Sequence, residues 1–146
     1  MAQRNIDRLR PIYEQWAHGN FRRGPELYSS DIKFTTFTAE GDTLSYRGRD
    51  ALLDWYRDFL ANWKNFRREA HDFLEGDDKV LVIGRQYAEG KGSGVPVEMP
   101  VYDVWTFKDD QVVELHITRD RATAFAAAGV REQDVANRRP NNLGCA

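Results

Sequence analysis

The second half of the chain is a series of strand-like segments joined by short turns. Four segments rich in β-branched and aromatic residues cover residues 66–74, 80–89, 95–107 and 112–119. Turn-forming residues separate them at 76–77, 90–94 and 108–110. Because connections this short join antiparallel neighbours, this half of the chain predicts an antiparallel meander.

Helical patterns dominate the first half. A first helix is predicted from about residue 3 to His18, since apolar residues recur there at spacings of three and four. These residues are Ile6, Leu9, Tyr13 and Trp16. Pro11 lies inside the stripe, so the helix either kinks near residues 7–10 or begins late with Pro11 in its first turn.

Further elements follow in order along the chain. A short second helix is predicted at residues 25–28, a strand at 32–37, and a third helix of about fifteen residues after Gly48. Residues 121–128, closed by Gly129, predict a last short helix. Helices first and strands afterwards, without alternation, favour an α+β fold: a cone in which three N-terminal helices pack on one face of a strongly curved antiparallel sheet.

Composition limits the function. The 146 residues include four Trp, six Tyr and eight Phe, which favours one domain over residues 1–130, followed by a polar, loosely held tail over 131–146. A net charge of −2 gives no field for binding nucleic acid or an anionic membrane. The longest apolar runs are too short to span a bilayer, and we see no secretory signal, so we expect a cytoplasmic protein.

No metal or cofactor signature is present in the sequence. The single cysteine, Cys145, has no partner for a disulfide or a structural zinc site. The three histidines are dispersed along the chain, without the spacing of metal ligands. We therefore expect neither a bound metal nor a cofactor.

Asp103 is a charged residue in an otherwise apolar row of its strand. The two-residue period of its strand places it on an apolar face with Met99, Val101 and Trp105. A carboxyl group in such surroundings, without a cation, has a raised pKa and can donate a proton to a developing oxyanion. The alternative is a structural pair with a basic residue on the next strand, for which Arg119 and Arg85 are the candidates. Both interpretations stay open at this point.

Aromatic residues supply the candidate walls of a pocket, although rings at helical spacing also form ordinary cores. The candidates on the helices are Tyr13, Trp16, Trp55, Tyr56 and Phe59. The candidates on the strands are Phe34, Met99, Val101, Trp105 and Ile117. In the strand over 80–89 the periodicity does not show which face points inward, so Arg85 and Tyr87 are weaker candidates.

Several short motifs resemble one known family. They are Tyr13-Glu14-Gln15-Trp16, Leu27-Tyr28 before the first strand, residues 46–52 at the start of the third helix, and Val104-Trp105-Thr106-Phe107. Over roughly residues 5–130 the chain resembles the SnoaL-like branch of the nuclear transport factor 2-like superfamily. The resemblance implies an α+β cone, usually a homodimer, with a hydrophobic pocket between the helices and the concave sheet. Members include polyketide cyclases, ketosteroid isomerases, dehydratases, epoxide hydrolases and binding proteins without catalysis.

The resemblance also assigns residues. Asp103 matches the oxyanion-hole aspartate of the isomerases, and Tyr13 lies near their helix-one tyrosine. Where they have a carboxylate base this chain has Thr36, and the Arg-x-Asp arrangement of the epoxide hydrolases is absent at Arg85.

Three functions remain open from the sequence. The first is a cofactor-independent cyclase, isomerase or lyase acting on a mostly apolar, carbonyl-bearing substrate. In it Asp103 is the proton donor, Arg119 or Arg85 its partner, and Tyr13 or Tyr87 a hydrogen-bond donor. The second is a non-catalytic binder of a small hydrophobic ligand. The third is a dimeric interaction module that uses the convex face of the sheet, with Val104, Thr106 and His116.

Overall fold

The computed structural model describes residues 2–38 and 40–132. The helices are α1 (Ala2–Ala17), α2 (Arg49–Ala61) and α3 (Arg121–Ala128), with a 3₁₀ turn at Pro25–Leu27. The strands are β1 (Tyr28–Phe37), β2 (Thr43–Arg47), β3 (Trp63–Glu75), β4 (Lys79–Gly90), β5 (Pro96–Lys108) and β6 (Gln111–Thr118). Most of the predicted tail, from residue 133, and Cys145 lie outside the described residues.

One six-stranded sheet has the order β2-β1-β6-β5-β4-β3. The predicted meander from β3 to β6 is confirmed, because each of these strands pairs antiparallel with the next. The sheet is mixed, however, since β1 runs parallel to β6. Strand β2 was not predicted from the sequence. It is a short edge strand, and because none of its residues is buried, no alternating row of apolar residues marks it.

The helices lie on both faces of the sheet. Helices α1 and α2 pack against what we call the inner face, with α1 on β3 and β4 and α2 on β1, β2 and β3. Helix α3 packs on the opposite, outer face, against β4, β5 and β6. The α+β fold of helices on a curved sheet is confirmed. The prediction for one face concerned the N-terminal helices, and α1 and α2 do share the inner face; the position of α3 was not predicted, and α3 covers the outer residues of β4 and β5.

Pro11 does not interrupt α1, and capping residues mark both ends of α3. Helix α1 continues through Pro11, so the predicted late start was wrong. Helix α3 has the predicted bounds: Asp120 accepts a hydrogen bond from the Thr123 backbone N–H at its start, and Gly129 ends it in a left-handed conformation.

The described residues contain no helix long and apolar enough to cross a membrane.

Two buried clusters stabilise the sheet. The larger one, on the inner face, joins α1 and α2 to the strands through aromatic residues such as Trp16, Phe34 and Trp105. The smaller one lies under α3 and includes Tyr102 and Val104. Val104 is therefore covered by α3 and is not available for the protein contact that we considered for this face.

A β-bulge in β3 lies beside a close approach of the β3 and β4 backbones at Gly84. The register of β3 against β4 shifts between Ala70 and Asp72. At this point the backbone of Gly84 approaches β3 so closely that a Cβ on Gly84 would lie 2.0 Å from the Glu69 carbonyl oxygen. Only glycine fits a strand at such an approach.

Candidate functional site

Asp103 lies at the centre of a buried hydrogen-bond network. Its side chain is on the inner face of β5, and the residue is 2% exposed. One carboxylate oxygen, Oδ1, accepts from Nη2 of Arg68 at 2.5 Å. The other, Oδ2, accepts from the Tyr13 hydroxyl, which in turn accepts from Nε1 of Trp105 at 2.9 Å. The burial predicted from the strand period is confirmed, and both oxygens are occupied.

The partner of Asp103 is not one of the two that we expected. Arg119 is exposed at the end of β6, where its guanidinium lies 5.7 Å from the ring centroid of Phe37. Arg85 lies on the outer face and forms an ion pair with Glu98 at 3.6 Å. Directly paired residues on neighbouring strands share a face, so the pairing of Val82 with Asp103 turns the odd-numbered residues of β4 outward.

Arg68 comes from β3, two strands away from Asp103. It lies in the polar segment Arg67-Arg68-Glu69, so its immediate neighbours in the sequence do not indicate that it is buried. The signal that could have found it is its two-residue spacing from Phe66 and Ala70, which also belong to the inner face. Arg68 is 4% exposed, so it lies as deep in the fold as Asp103.

Burial and the neighbouring charges act in opposite directions on this pair. Burial raises the pKa of the Asp103 carboxyl, while the Arg68 guanidinium and the Tyr13 hydrogen bond oppose that rise. Burial also opposes the charge of Arg68, but the nearby Asp103 carboxylate raises the pKa of this guanidinium. Burial and the Asp103 charge hold the pKa of Tyr13 well above its usual value, so its hydroxyl keeps its proton and donates. The structure thus supports the structural-pair interpretation of Asp103.

A large open space lies between the end of α1, the loop over residues 18–25, helix α2 and the start of β3. We call it the aromatic cleft; its volume is about 980 Å³. Its apolar lining comes from Trp16, Phe21, Tyr28, Leu53, Tyr56, Leu60, Trp63 and Phe66. Its polar lining includes the four arginines Arg22, Arg23, Arg57 and Arg67. None of the described residues that line the cleft is acidic.

A second, much smaller space lies beneath α2 and next to Arg68. This space, the Arg68 cavity, has a volume of about 30 Å³. It is lined by Thr36, Phe37, Trp55, Tyr56, Phe59, Phe66, Arg68, Gln86 and Ile117. Tyr56 and Phe66 line both the cavity and the aromatic cleft, so these two side chains separate the two spaces.

The predicted lining residues divide into three groups. Trp16 and Tyr56 line the aromatic cleft, and Trp55, Tyr56, Phe59 and Ile117 line the Arg68 cavity. Phe34, Val101 and Trp105 are packed in the core, and Met99 is half-buried beyond them on β5. Tyr87 faces away from both spaces, and the guanidinium of Arg67 lies 4.1 Å from its ring centroid.

Much of the cleft lining was missed from the sequence. Phe21 and the arginines Arg22 and Arg23 belong to a loop, where no period assigns a direction. Trp63 and Phe66 belong to the start of β3, and nothing in the sequence pattern joined them to the end of α1. No group of three or more His, Cys, Asp or Glu residues within the described ranges is placed to hold a metal ion.

Comparison with known protein families identifies the fold. The model of the SnoaL-like domain matches residues 9–115, which is most of the chain. The chain belongs to the SnoaL-like family. The resemblance seen in the sequence motifs is therefore confirmed.

Solved structures agree with this SnoaL-like assignment. A candidate SnoaL-like polyketide cyclase from Jannaschia sp. CCS1 is 15% identical, with a TM-score of 0.69, covering 89% of this chain and 94% of that one. An NTF2-like protein of unknown function from Burkholderia pseudomallei K96243 is 18% identical, with a TM-score of 0.67, covering 85% of this chain and 96% of that one. At such identities the likeness shows the fold alone. No curated protein matches this SnoaL-like chain.

Proposed function

We propose that this SnoaL-like chain binds a small ligand with a flat, largely apolar body in the aromatic cleft. The observation that supports it is the cleft itself, an open space of about 980 Å³ with six aromatic residues in its lining. Ligand sites are commonly concave, mostly apolar spaces of roughly 300–1,000 Å³ with a few polar groups. The cleft is at the upper end of this range.

The charges around the cleft favour an apolar ligand over a polyanion. Three of the four lining arginines already have carboxylate partners outside the cleft. The pairs are Arg23 with Glu26 at 2.8 Å, Arg57 with Asp54 at 3.2 Å, and Arg67 with Glu69 at 3.4 Å. The positive charge around the cleft is therefore largely balanced, and aromatic surface remains as the main source of affinity.

In this proposal Asp103 has a structural role and transfers no proton. A general acid needs a proton to give, and a general base needs a free lone pair within reach of the substrate. Asp103 is the counter-ion of Arg68 and also accepts from Tyr13. Neither Asp103 nor Tyr13 is part of the lining of the aromatic cleft or of the Arg68 cavity. We therefore propose binding as the function, in preference to acid/base catalysis through Asp103.

Calorimetric titration with 2-acetonaphthone, a flat aromatic ketone, tests this proposal. Leu60 and Leu27 are both half-buried, but only Leu60 lines the cleft. We expect Leu60→Ala to weaken binding about fivefold, from the loss of roughly 1 kcal/mol of apolar contact. The control variant Leu27→Ala should bind like the wild type. An equal effect of the two substitutions, or no binding to the wild type, would contradict the proposal.

A further inference from the structure

Helix α3 turns the chain back along the outer face of the sheet. Gly129 ends the helix in a left-handed conformation, and the backbone N–H of Val130 donates to the Phe125 carbonyl. By Glu132 the chain has returned to the start of the helix, because Glu132 forms an ion pair there with Arg121 at 2.8 Å. The residues that follow Glu132 therefore begin beside the first residue of α3.

The outer face of β5 is exposed beyond the start of α3. The Arg121 guanidinium lies 5.9 Å from the ring centroid of Tyr102, which belongs to this face. Pro100 and Glu98 follow on the same face toward the start of β5, and both are exposed. Glu98 is four residues from Tyr102, which is about 13 Å along a strand. An open strip of sheet therefore leads from α3 toward the start of β5.

A groove of about 400 Å³ lies at the end of this strip, and we call it the hairpin groove. It lies where the hairpin of β4 and β5 passes the start of β3, and its lining residues are Asn65, Arg67, Tyr87, Ala88, Glu89, Pro96, Val97 and Glu98. Val97 is 37% exposed, and Val95, which precedes β5, is 58% exposed. The described residues thus leave apolar surface uncovered at this end of the hairpin.

The charges around the hairpin groove sum to −1. They come from two arginines and three glutamates: Arg67, Arg85, Glu69, Glu89 and Glu98. Arg67 pairs with Glu69 at 3.4 Å, and Arg85 pairs with Glu98 at 3.6 Å. Glu89 accepts a hydrogen bond from an asparagine amide at 3.1 Å and has no cationic partner among the described residues. The groove therefore suits an occupant that carries positive charge.

The sequence that follows Glu132 has the matching charge and sufficient length. Residues 133–146, which we call the C-terminal segment, lie outside the described residues. They carry one aspartate and two arginines, a net charge of +1, and the arginines lie together in Arg138-Arg139-Pro140. Six residues lead from Glu132 to Arg138, and an extended chain of that length spans up to about 20 Å. The segment is therefore long enough to bring its arginines along the strip to the groove.

We propose that the C-terminal segment docks along the outer face of β5 in its own chain and ends in the hairpin groove. Its basic pair, Arg138-Arg139, binds the carboxylates of Glu89 and Glu98. The residues after the basic pair cover the exposed side chains of Val95 and Val97. In this arrangement the charges of groove and segment balance, and Glu89 gains the cation that the described residues do not supply.

A nitroxide label in the C-terminal segment tests the contact through paramagnetic broadening of backbone amide signals. The label is attached through Asn141→Cys in a Cys145→Ser background, two residues beyond the basic pair. We expect it to broaden the amide signals of Val95 and Val97 and to leave those of residues 76–79, at the other end of β4, unchanged. Equal broadening at both ends of the sheet, or none at Val95 and Val97, would overturn the proposal.

Matched charge variants separate the proposed ion pairs from a general attraction between segment and protein. The double variant Glu89→Gln with Glu98→Gln keeps the side-chain size and removes two negative charges at the groove. We expect the ratio of docked to undocked segment to fall about fivefold, because each exposed ion pair contributes little. The control Glu75→Gln with Asp77→Asn removes two exposed charges at the other end of the sheet and should leave the broadening unchanged. An equal fall in both double variants would contradict docking in the groove.

Mixed samples show which chain supplies the segment. Protein with ¹⁵N and no nitroxide is mixed with an equal amount of nitroxide-labelled protein at natural isotope abundance. We expect no broadening at Val95 and Val97 in this mixture, because the segment docks on its own chain. Broadening in the mixture as strong as in the doubly labelled protein would assign the groove to a second copy and overturn docking within one chain.

Discussion

Replacing Asp103 by asparagine should destabilise the protein through Arg68. The substitution preserves the shape of the side chain and removes its charge. Arg68 is 4% exposed and remains protonated, so the variant leaves a guanidinium buried without a counter-ion. Breaking a buried ion pair in this way costs about 3–5 kcal/mol. Burial raises the pKa of Asp103, so removal of its charge recovers part of the desolvation cost. We therefore expect a loss near the lower end, about 3 kcal/mol.

Urea denaturation at neutral pH, followed by tryptophan fluorescence, measures this loss. A native domain has a total stability of about 5–15 kcal/mol, so the effect is large enough to shift the transition clearly. For a chain of this length the corresponding fall in Tm is roughly 6–12 °C.

The double variant Arg68→Met with Asp103→Leu serves as the control. It removes both charges, and the Tyr13 hydroxyl keeps the hydrogen bond from Trp105. Replacing a buried ion pair with apolar residues is often neutral, so this variant should be more stable than Asp103→Asn alone. If Asp103→Asn is as stable as the wild type, or if the double variant is the less stable of the two, the assignment of Asp103 as a structural counter-ion is refuted.

Three further substitutions test the fold. Pro11→Ala should raise the free energy of unfolding by about 1–3 kcal/mol, because it restores a backbone donor within α1; an unchanged urea midpoint would count against the continuous helix. Gly84→Ala should lower it by about 1–3 kcal/mol, since the new Cβ would meet the Glu69 carbonyl at 2.0 Å; a neutral effect would contradict the close strand approach. Burial lowers the pKa of His116 in the folded chain, so the unfolded chain binds a proton first and stability falls as the pH drops below about 6.5. His116→Gln should lessen the fall in Tm between pH 7 and pH 5.5, and an equal fall in both proteins would show that His116 does not contribute.

Local patterns in the sequence were enough to predict the main elements of the fold. The meander follows from the short turns between strand-like segments. The burial of Asp103 follows from a two-residue period, which depends only on strand geometry. Helix α3 was predicted with its true bounds because Gly129 marks its end. The parallel pairing of β1 with β6 was not predicted, since it joins segments far apart in the chain and leaves no periodic signal.

The candidate site was harder to predict, because it depends on pairings between strands. The side-chain partner of Asp103 depends on the pairing of β3 with β4 and on the pairing of β4 with β5. These two pairings determine that the Arg68 side chain points to the inner face and the Arg85 side chain to the outer face. The bulge near Ala70 also changes the register, and no residue pattern in β3 marks it. The aromatic cleft combines a loop with the ends of three elements, so its lining could be recognised only in the folded chain.

The most direct test of the proposed binding site is a ¹H–¹⁵N spectrum of the four tryptophan indoles during titration with 2-acetonaphthone. Trp16 and Trp63 line the aromatic cleft, Trp55 lines the Arg68 cavity, and Trp105 lines neither space. We expect the indole signals of Trp16 and Trp63 to shift with a common Kd, while that of Trp105 stays in place. Shifts confined to Trp105, or no shift of Trp16 and Trp63 at saturating ketone, would contradict binding in the cleft.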